Sequence, residues 1–495
     1  ARGVHPSPLG NTYVAAGPRA GMAHDPGFLE ALDLDGAVST AEGTRESHAG
    51  DYGTPERDER TPDAVVWPAS TADVSAVLSA CDERGVPVTP IAAATGLEGG
   101  ATPVHGGVSL DLSRMDDVLD VRPGDFQVDV EPGVIGSAVD EAVGDHGLFF
   151  PPLPSSGDIS TVGGMIATSA SGMQTVKYGE VADWVLELEA VLPNGDVITA
   201  GSKAVKTSSG YNLRDLVVGS EGTLAVVTRA TLRLAGIPEQ RYGGRASFST
   251  LDDATAAITD AITAGVDVAT IELLDGTSAT IANDYSGLDL PDGPTVFLEF
   301  HADHGVEEEV AFCRTIFETH DVESFEVARA GAGMAELLEA RKELGVALEE
   351  WHPDLAPVQA GDVTVPISKY GDIVRFARTL GEDHDVPIAC FGHAGDGNLH
   401  YSVLIDESDP EEYELGKDLY GQIVERAIEL GGTATGEHGV GLGKRQFLEG
   451  EHGAETVALM RRVKRAFDPN DILNPGKLFP ETIDGGRVDL APDHE

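Results

Sequence analysis

Two segments rich in glycine and other small residues constrain the fold of the first half of the chain most strongly. The first, from Pro90 to Gly100, directly follows a short apolar strand, and the second extends from Pro151 to Thr168. Small residues let the backbone approach a ligand closely, and successive N–H groups in a turn can bind an anion. Neither segment matches the GxGxxG or P-loop motif. The residues alone therefore leave tight turns and a phosphate site as alternatives.

The surrounding sequence predicts several domains that mix helices and strands. Residues 64–91 alternate strand, helix and strand, which is typical of an α/β unit. Beyond Ile237, helical stretches such as 252–264 alternate with strands such as 295–301, as in an antiparallel α+β domain. The predicted units are an N-terminal extension at 1–60, a first domain at 61–236, a second domain at 237–430, a C-terminal segment at 431–480 and a tail at 481–495.

The charge of the chain excludes several classes of function. The sequence carries 84 acidic and 33 basic residues, which gives a net charge of −51. A nucleic acid would be repelled by this charge, and so would an anionic lipid surface. Many acidic residues with few lysines favour a protein that works in concentrated salt, where counterions screen the self-repulsion. An ordinary acidic cytosolic protein is the alternative.

Neither the apolar pattern nor the cysteines indicate a membrane span or a disulfide framework. No apolar run reaches the roughly 18 residues of a spanning helix, and the first residues lack the apolar core of a secretory signal. Cys81, Cys313 and Cys390 show no CxxC spacing, so we expect buried thiols. The expected location is the cytoplasm.

A histidine cluster in the second half of the chain is the other chemical feature. The three glycines between Gly392 and His400 exclude a stable helix, and a turn at 395–398 would let His393 and His400 face each other. Glu437 follows downstream. Two imidazoles and a carboxylate suit Zn, Mn or Fe in a site that keeps positions open for substrate. Surface histidines beside turns are the alternative at this point.

Four short motifs, in this order, resemble those of a known family. They are Thr95-Gly96-Leu97, Ser160-Thr161-Val162-Gly163-Gly164, Lys177-Tyr178-Gly179 and Gly219-Ser220-Glu221-Gly222-Thr223-Leu224. Over residues 60–480 the chain resembles the vanillyl-alcohol-oxidase-type (PCMH-type) FAD-binding family, and within it the D-lactate dehydrogenases and glycolate oxidase D subunits. The resemblance implies an α+β fold: a two-part FAD-binding domain with α/β lobes, an antiparallel-sheet α+β substrate (cap) domain, and a C-terminal segment that returns to the FAD domain.

The resemblance also implies where FAD binds. The two small-residue segments would hold the pyrophosphate, and the segment around Glu221 would flank the flavin. The implied contacts are Ala93, Ala94, Thr95, Gly96, Leu97, Pro154, Ser155, Ser160, Thr161, Gly163, Gly164, Ala167, Ser169, Glu221 and Asn474. The family usually has glycines where Ala92, Ala93 and Ala94 stand, and other residues at Leu153, Met165 and Ser169. No histidine lies beside Thr95, where covalently flavinylated members carry one, so we expect non-covalent FAD.

In the second half, the resemblance implies a divalent metal held by His393, His400 and Glu437. His438 would then be the general base, because its ordinary pKa of about 6.5 suits proton transfer near neutrality. Arg341 would bind the substrate carboxylate through its planar guanidinium. Asn398 would contact substrate or flavin.

The expected reaction is the oxidation of a small 2-hydroxy acid by hydride transfer to FAD, with an external quinone, cytochrome or partner subunit as electron acceptor. Relatives that oxidise 2-hydroxyglutarate have a lysine where Ala360 stands and a threonine where Gly345 stands. Without that lysine a second carboxylate has no partner, so D-lactate is the first choice of substrate and glycolate the second. A homodimer, and peripheral contact with a membrane through the acceptor, are compatible with the sequence.

Two other functions are weighed against this expectation. A metallohydrolase could use the same histidines and glutamate to activate water, but it leaves the glycine-rich segments unexplained. A non-catalytic FAD-binding subunit would have no need to keep Arg341, His438 and the three metal-ligand candidates.

Overall fold

The computed structural model describes residues 24–55, 58–287, 289–329 and 344–480. In this part of the chain helices alternate with four sheets, most of whose strand pairs are antiparallel. The predicted α+β class is confirmed. None of the described helices combines the length and the apolar character that crossing a membrane requires.

The first lobe is a four-stranded sheet in the order β1-β2-β4-β3. Its strands are β1 (Ala37–Ser39), β2 (Ala64–Trp67), β3 (Val88–Ile91) and β4 (Val108–Asp111), with helices Glu42–Glu46 and Thr71–Asp82. Strand β4 runs parallel to both β2 and β3, as the strand–helix–strand pattern predicts. Ser70 caps the helix Thr71–Asp82 by accepting the N–H of Asp73, and the apolar face of this helix packs on the sheet.

The second lobe is a five-stranded antiparallel sheet in the order β5-β6-β10-β8-β9. Its strands are β5 (Val118–Arg122), β6 (Gln127–Val130), β8 (Val185–Val191), β9 (Val197–Gly201) and β10 (Val226–Arg233), and β7 (Leu148–Phe149) pairs with β11 (Ala235–Gly236) beside it. The helices are Gly136–Gly144, Val162–Thr168, Thr175–Tyr178, Val181–Trp184 and Leu213–Val217. Asn194-Gly195, a dipeptide typical of tight hairpin turns, lies in the turn between the paired strands β8 and β9.

The third unit is a larger sheet in the order β15-β12-β14-β13-β18-β19-β16, with β17 also paired to β19. Its strands are β12 (Gln240–Phe248), β13 (Thr270–Leu274), β14 (Thr295–Ala302), β15 (Val322–Arg329), β16 (Ala356–Pro357), β17 (Gly361–Thr364), β18 (Ile388–His393) and β19 (Asn398–Ile405). The helices are Leu251–Thr263, Gly276–Ser286, Val306–Phe317, Leu344–Glu350, Tyr370–His384 and Pro410–Glu429. All pairs in this sheet are antiparallel, as the sequence predicts for the cap.

Both ends of the described chain pack on the first lobe. The 3-10 helix Pro26–Ala31 buries Leu29 in its core, and β1 pairs with β2. At the other end the helices Leu448–His452 and Ala454–Phe467 lead to Leu473, which enters the same core. The N–H of Asn474 then donates to the carbonyl of Val88 at 2.7 Å. A three-residue strand such as β1 is too short for an alternating pattern, which is why the sequence did not predict it.

Candidate active site

One face of the cap sheet carries a group of polar side chains because its strands alternate between core and site. In β13 the side chains of Ile271 and Leu273 belong to the apolar core, while Glu272 between them faces the other way. In β19 Leu399 and Tyr401 likewise belong to that core, and His400 between them faces the site. The same alternation puts five residues on this face: Glu272, Asp362, His393, Asn398 and His400. The neighbouring strands β13, β18, β19 and β17 thus assemble them at one place.

The histidine turn brings together the three metal-ligand candidates. His393 ends β18, His400 lies in β19, and their ring centroids are 5.0 Å apart. Glu437 Oε1 lies 3.2 Å from His393 Nε2 and 3.1 Å from His400 Nε2. One ligand atom from each residue lies within 4.8 Å of the others, which is compact enough for a single ion.

Two residues that the sequence analysis did not single out orient this cluster. Glu272 Oε1 lies 2.6 Å from His393 Nδ1, so the carboxylate fixes the ring and leaves Nε2 for a ligand. Ser171 of the second lobe donates to Glu437 Oε2 at 3.0 Å. A glutamate among the apolar residues of the strand Thr270–Leu274 was a signal in the sequence that could have identified Glu272, which is fully buried. No comparable signal marks Ser171.

The electrostatics of the cluster favour a cation. Burial alone would lower the pKa of His393, but the carboxylates of Glu272 and Glu437 hold it well above its usual range. Burial alone would raise the pKa of Glu437, yet the two histidines hold it well below. Positive charge is therefore stabilised between these groups. The donor types and the spacing of the three ligand atoms therefore suit a divalent ion.

The loop that carries Glu437 and His438 is held by acidic residues from three directions. We call residues 436–444 the strap. Asp362 Oδ2 accepts the N–H groups of Gly436, Glu437 and His438 at 2.8, 2.9 and 3.0 Å. Because three N–H groups converge on one buried carboxylate, the start of the strap is fixed to β17 of the cap. The sequence analysis did not predict a role for Asp362. The signal that could have identified it is the position of an acidic residue inside a buried strand.

The rest of the strap is bound by the FAD-binding lobes predicted from the sequence. Glu221 accepts the N–H of Val440 at 2.7 Å and of Gly441 at 2.8 Å. The carbonyl of Glu98 accepts the N–H of Leu442 at 2.7 Å. The strap thus links both lobes of the first domain to the cap.

Glycine is required at two strap positions by these close approaches. A Cβ on Gly436 would lie 2.1 Å from Asn398 Nδ2, and one on Gly441 would lie 2.1 Å from the carbonyl oxygen of Glu98. Gly441 also has a φ of +45°, which a side chain disfavours. The glycines around Glu437 and His438 therefore let the strap contact its anchors.

His438, the predicted base, lies in a buried position beside the cluster. Its ring stacks on that of His400 with centroids 5.3 Å apart, and its Nδ1 lies 3.9 Å from Asp362 Oδ2. Burial lowers the pKa of His438 to about 4, against the ordinary value assumed from the sequence. The imidazole is therefore neutral near pH 7 but is a weaker base than a free histidine, and the charge of Asp362 is the largest effect that opposes this lowering.

Asn398 belongs to the same group of polar side chains, because it contacts Asp362. Its Nδ2 donates to Asp362 Oδ1 at 2.7 Å and to Thr364 Oγ1 at 3.0 Å. Its buried Oδ1 has no hydrogen-bond partner among the residues that the structure describes. An orphaned buried oxygen of this kind is available to a substrate hydroxyl. Arg341, the predicted carboxylate-binding residue, lies outside the described residues.

The two small-residue segments meet each other in the first domain. Thr95 Oγ1 and Ser160 Oγ lie 2.9 Å apart, which joins the tips of the two segments. Asn474 Nδ2 donates to the carbonyls of Gly100 and Glu221 at 3.0 and 2.8 Å. The N–H of Glu221 donates to Ala167 at 2.8 Å. Side chains and backbone from four distant segments thus surround one place.

The other predicted FAD contacts border this place. Thr161 caps the helix Val162–Thr168, and Ser169, with a φ of +51°, ends it and donates to Glu180. Ala94 has a φ of +55°, and its carbonyl accepts the N–H of Tyr52 at 2.9 Å. The remaining members lie in the same segments: Ala93, Gly96, Leu97, Pro154, Ser155, Gly163 and Gly164. Converging loops of small residues, one of them opening a helix, fit a dinucleotide pyrophosphate.

Comparison with known proteins agrees with this arrangement. Residues 62–201 match a family described as "FAD binding domain", and residues 237–478 match "FAD linked oxidases, C-terminal domain". The chain is 38% identical to "Glycolate oxidase subunit GlcD" of Bacillus subtilis over 89% of its length and 95% of the relative's. It is 37% identical to "D-lactate dehydrogenase [cytochrome], mitochondrial" of Arabidopsis thaliana, over 85% and 74% of the two chains.

Solved structures confirm the predicted PCMH-type fold. The substrate-bound p-cresol methylhydroxylase superposes with a TM-score of 0.73 at 16% identity, covering 89% of this chain and 93% of that one. A 4-ethylphenol oxidase from Gulosibacter chungangensis gives 0.71 at 21% identity, covering 90% and 94%. The family assignment confirms the predicted oxidoreductase class over the metallohydrolase. The protein belongs to the FAD-linked oxidases, among relatives named D-lactate dehydrogenase and glycolate oxidase subunit.

Proposed function

We propose that the protein is an FAD-dependent dehydrogenase of D-2-hydroxy acids that oxidises D-lactate to pyruvate. The observation that carries the proposal is the strap, which brings His438 and the His393–His400–Glu437 cluster against Glu98 and Glu221 of the FAD-binding lobes. The names of the relatives support the choice of substrate class. Glycolate is the alternative substrate.

Each side chain of the site has a separate task in this proposal. His438 takes the proton of the substrate hydroxyl, because its buried imidazole is neutral near pH 7. Asp362, 3.9 Å from Nδ1, stabilises the imidazolium that results. Asn398 offers its unpartnered Oδ1 to the substrate, and Arg341 binds the carboxylate. These contacts fix C2 of the substrate for hydride transfer.

Two groups supply the chemistry that side chains lack. FAD, which the two small-residue segments would hold without a covalent bond, would supply the hydride acceptor for C2, with an external quinone, cytochrome or partner subunit as the final electron acceptor. A Zn, Mn or Fe ion held by His393, His400 and Glu437 would lower the pKa of the substrate hydroxyl as a Lewis acid.

Two positions that the family resemblance links to a second carboxylate favour a substrate with only one. Ala360 precedes β17 and offers no charge to a second carboxylate. Gly345, in the helix Leu344–Glu350, has no side chain to contact one, and a Cβ there would meet nothing within 4 Å.

The working environment follows from the charge. We propose a cytoplasmic protein adapted to concentrated salt, since a net charge of −51 requires screening. Where the acceptor is a quinone, the protein would contact the membrane only peripherally. A homodimer is compatible with this proposal.

Product formation tests the proposed substrate. The FAD- and metal-loaded protein is given an electron-accepting dye and, in turn, D-lactate, L-lactate, glycolate or D-2-hydroxyglutarate. We expect the highest kcat/KM with D-lactate, with pyruvate as product. Ala360→Lys is the matched variant, and it should raise kcat/KM for D-2-hydroxyglutarate relative to kcat/KM for D-lactate. A protein that binds FAD but forms no keto acid from any of these compounds would refute the proposal.

A further inference from the structure

One buried lysine connects the FAD-binding lobe to the cap at the end of the strap. The side chain of Lys444 is 0% exposed. Its Nζ donates to the carbonyl of Asp362 at 2.7 Å, and lies 3.6 Å from Asp362 Oδ2 and 3.3 Å from Glu98 Oε1. Glu98 belongs to the first small-residue segment and Asp362 to β17 of the cap. The ammonium therefore lies between carboxylates of two domains.

These carboxylates depend on the lysine for compensation. Burial raises the pKa of Glu98 to about 7, and the charge of Lys444 acts against this rise. The carboxylate of Asp362 is 0% exposed, and the ammonium of Lys444 lies 3.6 Å from its Oδ2. Removing one partner of a buried ion cluster leaves the other charges unpaired, which costs more than the cluster contributes.

Asp362 and Glu98 both contact the strap directly. Asp362 Oδ2 accepts the N–H groups of Gly436, Glu437 and His438, and the backbone carbonyl of Glu98 accepts the N–H of Leu442. A Cβ on Gly443 would lie 2.1 Å from Glu98 Oε2, so the side chain of Glu98 is also packed tightly on the strap. Movement of Asp362 would therefore displace Glu437 and His438, and movement of Glu98 would displace the end of the strap.

We propose that Lys444 is a positioning residue of the active site. By pairing Asp362 with Glu98 it fixes the strap between the FAD-binding loop and the cap, and so sets the place of His438 and Glu437. This inference rests on the proposed function. It assigns a role to a residue whose side chain is 0% exposed and which acts through Asp362 and Glu98, so its effect is expected on the rate of the chemical step rather than on substrate binding.

A neutral substitution of similar size, Lys444→Met, tests the inference. The matched control is Lys203→Met, because Lys203 Nζ also pairs with a fully buried carboxylate, Asp129 Oδ2 at 2.7 Å, but in the sheet of the second lobe. Both variants are loaded with FAD and metal, and the rate of flavin reduction by D-lactate is measured in single turnover per bound flavin. We expect a loss of about 100-fold in Lys444→Met, as for a displaced catalytic group, at nearly unchanged half-saturation. Lys203→Met should lower the melting temperature and leave the rate per flavin near wild type.

Hydrogen exchange of the strap gives a second readout that does not depend on turnover. The amides of 436–443 should exchange faster in Lys444→Met than in wild type, whereas in Lys203→Met they should exchange at the wild-type rate. Glu98→Gln/Lys444→Met removes one of the two unpaired carboxylates and should recover part of the rate and of the protection. If Lys444→Met does not fold, the rate and the exchange of this double variant are compared with wild type instead.

The outcomes separate the inference from the proposed function. If no 2-hydroxy acid reduces the wild-type flavin, the proposed function fails, and exchange of the strap still decides whether Lys444 positions it. If the wild-type flavin is reduced and Lys444→Met matches Lys203→Met in rate and exchange, the positioning role is wrong. If the rate of flavin reduction in Glu98→Gln/Lys444→Met falls as far as the separate effects of the two substitutions added together, the lysine does not act through Glu98.

Discussion

At the scale of single residues, the site depends on polar side chains buried with specific partners. The sequence predicted His393, His400, Glu437 and His438, because glycine-flanked histidines stand out in a chain. Their supporting carboxylates were not predicted, since Glu272 lies 121 residues from His393 in the chain and its partner cannot be read from spacing. The ordinary pKa assumed for His438 was also changed by burial, which a sequence does not show.

Glu272→Gln tests the support of the metal site. The amide keeps the shape of the side chain but loses the charge that fixes His393 through Nδ1 at 2.6 Å. Loss of such an outer partner typically weakens metal binding about 10- to 100-fold. We expect a fall of this size in Zn or Mn affinity by titration calorimetry. Glu299→Gln, which alters another buried carboxylate of the same sheet, is the control. Equal affinities in wild type and Glu272→Gln would contradict this role.

Asp140 gives a stability prediction with a defined pH dependence. Burial raises the pKa of Asp140 to about 6, although its Oδ1 accepts the N–H of Phe150 at 2.6 Å. Its stabilising contribution is complete below the ordinary carboxyl pKa of about 4 and is lost as pH rises through 6. Asp140→Asn keeps the acceptor without the charge. At pH 7 the free energy of unfolding of Asp140→Asn should therefore be about 1 kcal/mol higher than that of wild type, and near pH 4 the two should be equal.

Chemical denaturation at the two pH values measures this difference. Asp145→Asn, an exposed change at the end of the same helix, controls for the loss of one negative charge. A difference between Asp140→Asn and wild type that is the same at both pH values would argue against the assigned burial effect.

At the scale of elements, the alternation within four neighbouring strands of the cap explains how the site forms. Strands β13, β17, β18 and β19 each place apolar residues in one core and polar residues on the opposite face. The sequence predicted the histidine turn and an antiparallel α+β cap, but not these four strands. The strap was not predicted either, because it has no regular structure and its partners lie far away: Glu221 is 219 residues from Val440.

Gly436→Ala tests whether the strap requires its close contact with β17. The added methyl group would lie 2.1 Å from Asn398 Nδ2 and 2.7 Å from Asp362 Oδ1, so the strap must move away from Asp362. We expect a loss of about 100-fold in kcat, with a lower metal affinity. Gly450→Ala is the control, because a Cβ there meets nothing within 4 Å and the residue is helical. Wild-type turnover by Gly436→Ala would show that the strap tolerates displacement.

At the scale of the whole molecule, contacts between domains place the FAD-binding lobes against the cap. Tyr178 of the second lobe lies 3.0 Å from His301 of β14, and Ser171 reaches Glu437 across 266 residues of chain. The sequence motifs predicted which domains are present and that the C-terminal segment returns to the first lobe. Motifs do not specify how two domains meet, because that depends on side-chain contacts between distant segments.

The net charge of −51 leads to a prediction about salt. Repulsion among the acidic residues is screened as the Debye length falls to about 3 Å at 1 M. We expect the melting temperature to rise between low and molar KCl. Sucrose at matched osmolality separates screening from general exclusion effects and should stabilise the protein less. A melting temperature that does not change with KCl would argue against adaptation to salt.

The most direct measurement mixes the FAD- and metal-loaded protein with D-lactate in the absence of oxygen and follows the flavin absorption band. The account predicts that D-lactate bleaches the band, that L-lactate does not, and that His438→Asn bleaches it far more slowly while still binding FAD. A flavin that stays oxidised with every D-2-hydroxy acid, or one reduced equally fast in His438→Asn, would contradict it.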